Sequence, residues 1–233
     1  MICSVWLFLC HPCFVQGDLK SNTIGLLRVA KSDEPKQIIP YHPREGDLIF
    51  YDDKSLVWTA LFLWAGTGPP LHMGIVVKKS DGTLAVLEAG PDDTTRVAIL
   101  DVATRLPQFD RDFKGSKVTI RRCRKELTKE QSAALTKFAE AQDGKRYAVL
   151  RLLLQGTCLR SRGPIRELFL GETVLDRSSW ICSELSVAAG TVAGLFPKSV
   201  KANVTYPLDL VDNRRHDLSR IWQDAAPWSL GRK

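Results

Sequence analysis

The sequence predicts an α+β fold in which an antiparallel sheet packs against helices. Two observations support this prediction: strand-like runs are concentrated in the first half of the chain, and the strongest helical patterns lie in the second half. With 233 residues and 44% hydrophobic content, the chain is large enough to bury a full core. We predict one domain over residues 39–233, preceded by a leader and linker over residues 1–38.

Short runs of apolar and β-branched residues, bounded by turn signals, indicate strands. They are DLIFY (47–51), HMGIVVKK (72–79), TLAVLEA (83–89) and KVTIRRC (117–123). The second and third runs are separated by Ser-Asp-Gly, which predicts a hairpin.

The length of the hairpin loop decides which side chains share a face of the sheet. If the loop has three residues with Gly82 in the left-handed conformation, Gly74 pairs with Glu88. Glu88 then lies diagonal to His72 on the same face, within reach of two long polar side chains. A two-residue Asp-Gly turn would instead place them on opposite faces.

Helical spacing of apolar residues predicts the remaining elements. The helical runs are SLVWTALFLWAG (55–66), LTKEQSAALTKFAEAQDG (127–144), YAVLRLLLQG (147–156), IRELFLG (165–171) and CSELSVAAGTVAGLF (182–196). The run at 127–144 has a Thr cap followed three residues later by Gln, a capping-box signature. After the last helix, VTYPLDLVDN (204–213) is predicted to be extended.

Two apolar stretches resemble targeting or membrane segments. Residues 1–17 contain an apolar core like that of a signal peptide, but no Lys or Arg precedes Lys20, so both a cytoplasmic and an exported location stay open. The uncharged run over residues 55–77 is as long as a membrane-spanning helix. Gly66 and Pro69 interrupt it, so we predict a helix, a loop and a strand there.

The formal net charge is +7, and residues 144–180 carry seven positive against three negative side chains. Such a bias suits an anionic substrate or a phospholipid surface, and it also occurs on ordinary solvated faces. No nucleic-acid-binding motif accompanies it, so no nucleic-acid partner is expected. We expect this segment, with Arg151, Arg160 and Arg166, to pack beside the substrate cleft.

The six cysteines (3, 10, 13, 123, 158 and 182) are too few for a disulfide scaffold in a chain of this length. CHPC at 10–13 has metal-like spacing without a second pair, so no metal or organic cofactor is predicted. Cys182 differs from the others because Ser178 or Ser179 can cap a helix that begins beside it. The positive end of a helix stabilises a thiolate, which favours a nucleophile; a buried structural cysteine is the alternative.

A thiol nucleophile needs a base, and His72 is the one histidine of the four that opens an apolar strand. Glu88 is its candidate orienting acceptor, and an exposed carboxylate at a strand end is the alternative. These residues predict a Cys182, His72 and Glu88 constellation.

The order of GDLIF, HMGIVV, VLEA, the LTKEQ helix, WICSEL and VTYPLDL resembles the circularly permuted NlpC-type papain-like proteins, specifically the YiiX-like group. The resemblance covers about residues 44–212. Ordinary papain-like enzymes have the cysteine helix before the histidine strand, whereas permutation reverses this order, as His72 before Cys182 does here.

The resemblance implies a catalytic triad in which Cys182 is the nucleophile, His72 the general base and then acid, and Glu88 the residue that fixes the imidazole tautomer. It implies a thiol hydrolase that cleaves an amide bond in cell-wall or other short peptides. We expect Tyr51 and Trp180 to line the substrate pocket.

Two alternatives remain. One is a lipid acyltransferase or thioesterase resembling lecithin:retinol acyltransferase-like proteins, which typically carry Asn-Cys-Glu-His where this chain has ICSEL. The other is a noncatalytic binding module on the same scaffold.

Overall fold

A computed structural model describes residues 23–31, 34–90, 94–155, 157 and 173–231. In these ranges the chain forms an eight-stranded antiparallel sheet with helices on both faces, which confirms the predicted α+β class. None of the helices in this part of the chain is both long and apolar enough to cross a membrane. The uncharged run at 55–77 forms the predicted helix, loop and strand.

The strands are β1 (Leu26–Lys31), β2 (Glu34–Pro40), β3 (Leu48–Asp52), β4 (His72–Lys78), β5 (Leu84–Ala89), β6 (Val97–Asp101), β7 (Lys117–Arg121), β8 (Arg146–Tyr147), β9 (Ser179–Trp180) and β10 (Ala226–Ser229). The helices are α1 (Leu56–Trp64), α2 (Val102–Asp112), α3 (Lys129–Gln142), α4 (Val149–Leu154), α5 (Cys182–Val192) and α6 (Pro207–Val211). The large sheet has the order β2-β1-β10-β7-β3-β4-β5-β6, and β8 pairs with β9 in parallel.

Strand alternation divides the core into two layers. Met73, Ile75 and Val77 of β4 point toward α3 and α5 and join the larger cluster. Val76, between them in sequence, joins the second cluster, which includes Leu106 of α2. Residues at even positions of β4, His72 among them, therefore face the α2 side of the sheet.

The hairpin between β4 and β5 has the predicted three-residue loop. Gly82 has a φ of +84°, and the backbone N–H of Lys79 donates to the carbonyl of Thr83 at 2.9 Å. Gly74 pairs with Glu88, which confirms the predicted register.

Two expectations from the sequence need correction. The described part of the predicted linker belongs to the sheet, because β1 pairs with both β2 and β10. The run at 204–213 is partly helical rather than extended: α6 has Pro207 in its first turn, and the Asp209 carboxylate accepts the backbone N–H of Tyr206 at 2.7 Å. Proline in the first turn and an acidic residue that caps the N-terminus both favour a helix. The predicted helix at 165–171 and the leader up to residue 22 lie outside the described residues.

Gly74 is closely packed by side chains of β5. A Cβ at this position would lie 2.5 Å from Val86 Cγ1 and 2.7 Å from Glu88 Cγ. We expect Gly74→Ala to lower the free energy of unfolding by about 1–3 kcal/mol, since overpacking a buried site forces its neighbours to move. Urea denaturation measures this change. Gly68→Ala is the matched control, because its Cβ would meet nothing closer than 3.7 Å; an equal loss in both variants would contradict the explanation.

Candidate active site

The sheet register brings three polar side chains together on the α2 side. His72 is the first residue of β4 and pairs with Tyr51 of β3. Glu88 of β5 pairs with Gly74, two residues further along β4, so it is diagonal to His72 as predicted. The glycine leaves space for the carboxylate to reach the imidazole.

The Glu88 carboxylate is fully buried and accepts hydrogen bonds from three side chains. His72 Nε2 donates to Oε2 at 3.0 Å, and the Tyr51 hydroxyl donates to Oε1 at 2.5 Å. Arg105 of α2 donates to Oε1 through Nε at 3.2 Å and to Oε2 through Nη2 at 3.1 Å. Both oxygens are thus held, which fixes the plane of the carboxylate.

These contacts set the ionisation of the group. Burial alone would raise the pKa of Glu88, but the hydrogen bond from His72 and the positive charge of Arg105 lower that pKa to about 2. Burial, followed by the charge of Glu88, raises the pKa of Tyr51 well above its usual range. Glu88 is therefore a carboxylate at neutral pH, and Tyr51 is a neutral hydroxyl donor.

Cys182 is the first residue of α5. Ile181 occupies the N-cap position in extended conformation and offers no side-chain hydrogen bond, so the predicted Ser178 or Ser179 cap is wrong. Glu184 supplies half of a capping box instead, because its Oε2 accepts the backbone N–H of Ile181 at 3.2 Å. The thiol lies in the first turn of an 11-residue helix, where backbone N–H groups point out of the N-terminus.

His72 links the thiol to the carboxylate. Cys182 belongs to the core layer on the α5 side, whereas His72 is the first residue of β4, at the end of the strand. Burial alone would lower the pKa of His72, but side-chain hydrogen bonds to Cys182 and Glu88 raise that pKa to about 10. Since Nε2 donates to Glu88, Nδ1 is the ring nitrogen left for the thiol.

A cavity and a groove lie beside Cys182 and His72. A cavity of about 380 Å³ is lined by His72, Tyr51 and Arg105, with apolar walls that include Trp58, Phe109 and Val149. A second, smaller groove contains Cys182 together with apolar side chains such as Leu61 and Ile181. Phe62 of α1 and Leu152 of α4 line both the cavity and the groove and pack in the same apolar cluster. Helices α1 and α4 together therefore form one side of the site.

The two expected pocket residues have different positions. Tyr51 lines the larger cavity. Trp180 is fully buried, where its Nε1 donates to Gln142 Oε1 at 2.9 Å and its ring packs edge-on against Phe138. Trp180 supports the strand that leads into Cys182 and lines neither the cavity nor the groove.

The basic segment contributes differently from its expected role. Helix α4 lines the larger cavity through apolar side chains. Arg151 donates to the carbonyl of Ser179 at 2.6 Å and to Glu184 Oε1 at 3.1 Å, so it ties α4 to the start of α5. Its charge is balanced by Glu184. Arg160 and Arg166 lie outside the described residues.

Sequence reasoning missed Arg105, which is 1% exposed and also lies 5.1 Å above the Tyr51 ring. A signal was available: Val102, Leu106 and Phe109 form the apolar stripe of a helix, and Arg105 falls within it. A cation at a core position requires an anionic partner, and Glu88 was the candidate.

Cys123 provides a contrast to Cys182. It is equally buried, at 2% exposure, but its Sγ donates to the carbonyl of Lys125 at 3.2 Å. Burial raises the pKa of the Cys123 thiol.

Within the described residues, no three His, Cys, Asp or Glu side chains are grouped to hold a metal ion.

No protein-family model and no curated protein matches the chain. Among solved structures, the chain is similar to the crystal structure of metalloprotein YiiX from Escherichia coli O157:H7, with 19% identity and a TM-score of 0.43. The match covers 66% of this chain and 67% of that one. A likeness at this level does not establish a family or a function.

Proposed function

We propose that the chain is a thiol hydrolase that cleaves an amide bond, with cell-wall or other short peptides as its substrates. The observation that carries the proposal is the position of His72 between two partners: its Nε2 donates to Glu88 at 3.0 Å, and the neighbouring Cys182 thiol contributes to its raised pKa. A thiol, an imidazole and an orienting carboxylate in this order are the groups that acyl-transfer catalysis requires.

The first half of the reaction forms a thioester. The Cys182 thiol gives its proton to His72, and the sulfur attacks the carbonyl carbon; the resulting oxyanion lies at the α5 N-terminus, where backbone N–H groups stabilise it. Collapse of this intermediate breaks the C–N bond while His72 donates its proton to the leaving amine. The amine departs, and the acyl group stays on sulfur.

The second half consumes water. His72, now neutral, removes a proton from a water molecule that attacks the thioester carbonyl. The C–S bond breaks, the carboxylic acid leaves, and His72 returns its proton to the sulfur, which restores the starting state. Glu88 keeps Nε2 protonated and Nδ1 directed at the thiol throughout both halves.

The fold part of the proposal is a circularly permuted papain-like domain of the NlpC type. It is supported by the chain order, with the histidine strand β4 before the cysteine helix α5, and by the sequence motifs that resemble the YiiX-like group. The antiparallel sheet packed against α5 is compatible with this arrangement.

A lipid acyl substrate is the second candidate, and the walls of the site favour it. The cavity beside His72 is lined by Phe62, Leu71 and Phe109 among other apolar side chains, and the groove at Cys182 is also apolar. Such walls suit a hydrocarbon chain better than a polar peptide. The chemical steps are the same, with an ester or thioester as the bond that breaks.

Alkylation rates separate an active thiol from a structural one. We expect iodoacetamide near neutral pH to modify Cys182 faster than Cys123, because Cys182 has His72 and the N-terminus of α5 as neighbours and Cys123 has neither. Both thiols are 2% exposed, so Cys123 is an internal control for access. Peptide-mapped mass spectrometry measures the two rates.

His72→Ala should slow modification of Cys182 and leave Cys123 unchanged. Equal rates for the two thiols, or a Cys182 rate that is indifferent to His72→Ala, would favour the noncatalytic binding module instead.

A further inference from the structure

Helices α1 and α4 expose large apolar side chains to solvent. We call the six that are more than half exposed the apolar rim: Leu56, Val57, Leu63, Trp64, Leu150 and Leu153. The α1 members follow the spacing i, i+1, i+7 and i+8, so they share one face of that helix. Isolated exposed apolar residues are ordinary, but a cluster on two neighbouring helices marks a binding surface.

Helix α1 is apolar except for Thr59. None of its nine residues is charged, and its opposite face is already used, because Phe62 packs on Leu71 and Leu152 in the interior. A helix of this composition favours an apolar environment around it, yet the face of α1 that carries the apolar rim is exposed.

The apolar rim is continuous with the cavity. Trp58 of α1 and Val149 of α4 are 41% and 43% exposed, and both also line the cavity that contains His72. Whatever covers the rim therefore also meets the mouth of the site. A lipid layer is an occupant that would match both the outer face and the apolar cavity wall.

Charge and residue type also match a membrane surface. Arg151, which is paired with Glu184, is the single charged residue in the two helices, and the sequence of the segment 144–180, to which α4 belongs, has seven positive and three negative side chains. Anionic lipid headgroups attract such a segment, and tryptophan is favoured at the boundary between headgroups and acyl chains.

We propose that the apolar rim inserts into the interfacial layer of an anionic lipid bilayer and places the cavity mouth against it. This surface is distinct from the catalytic groups, so binding is expected whether or not the chain hydrolyses a substrate. If the proposed function also holds, the arrangement delivers acyl-bearing molecules from the lipid layer to Cys182.

Flotation of the full chain with vesicles tests the surface. We expect it to bind vesicles of phosphatidylcholine and phosphatidylglycerol, and to bind phosphatidylcholine alone more weakly. Leu63→Glu combined with Leu150→Glu should weaken binding by at least about tenfold, since two apolar side chains no longer leave water. Ile38→Glu is the matched control: Ile38 is 60% exposed but lies on β2, at the far edge of the sheet.

Depth of insertion gives an independent readout. Brominated acyl chains should quench tryptophan fluorescence, and Trp64→Phe should reduce the quenching. Cys182→Ser should bind like the unaltered chain, which separates this surface from catalysis.

Three results would overturn the proposal: no binding to either vesicle, binding that the double variant leaves unchanged, or quenching that Trp64→Phe does not reduce. The second of these would assign binding to another part of the chain, such as the leader. Self-association in gel filtration that the double variant abolishes, without vesicle binding, would assign the rim to a second copy of the chain.

Discussion

Cys182→Ala is expected to reduce hydrolysis by at least about a thousandfold, because removing a nucleophile leaves only the catalysis that binding and the oxyanion site provide. His72→Ala should have an effect of similar size, and the double variant should be no worse than either single one. Residues that act as one unit lose their function together. Hydrolysis of a p-nitroanilide peptide and of a p-nitrophenyl acyl ester measures the effect and also separates the two candidate substrate classes.

Cys123→Ala is the control for this experiment. Cys123 is as buried as Cys182, and its thiol donates a hydrogen bond to the backbone carbonyl of Lys125. It should retain hydrolysis even if its stability falls. Circular dichroism confirms that each variant is folded. Hydrolysis that survives Cys182→Ala would contradict the assigned nucleophile, and additive losses in the double variant would contradict a joint role for Cys182 and His72.

The local part of the site was predictable because short-range chemistry determines it. Ser-Asp-Gly left two turn types open, and the structure contains the three-residue loop with a left-handed third residue, which sets the register that aligns Gly74 with Glu88. From that register, the diagonal relation of His72 and Glu88 follows without knowledge of the rest of the fold. The helix that begins at Cys182 was equally evident, although its cap was not.

Long-range parts of the structure were harder to predict. Strand β1 is recognisable as part of the sheet only through its pairing with β10, about two hundred residues later in the chain. The apolar stripe of α2 indicates that Arg105 is buried, but its pairing with Glu88 depends on the packing of α2 across β5, which is a long-range contact. The exposure of α1 could not be predicted from the sequence either, because its apolar sequence is equally compatible with a buried helix.

Glu88→Gln is expected to reduce the turnover number by about a hundred- to ten-thousand-fold while Cys182 and His72 remain in place. An amide can donate as well as accept, so it no longer requires Nε2 of the imidazole to carry the proton, and the tautomer that directs Nδ1 at the thiol is lost. It also removes the negative charge that stabilises the imidazolium and leaves Arg105 buried without its carboxylate. The substrate KM should change less than the turnover number, because Glu88 is fully buried and acts through His72.

Arg105→Met tests the same carboxylate from the other side. The pKa of Glu88 is lowered from 4.5 to about 2 in the folded chain, so its ionisation contributes stability above pH 4.5, and this contribution is lost as pH falls toward 2. Without Arg105 the pKa of Glu88 should rise. The acid limb, which is the fall of the turnover number at low pH, and the loss of stability at low pH should then both move to higher pH.

Two further variants distinguish positioning from simple loss of fold. Arg105→Lys keeps the positive charge but not the two-pronged geometry, so it should shift the acid limb less than Arg105→Met does. Arg111→Met, on the same helix but exposed, should leave both the rate and the acid limb unchanged. If Arg105→Met lowered stability without moving the acid limb, Arg105 would only support the fold, and the ionisation of Glu88 would depend on His72 alone.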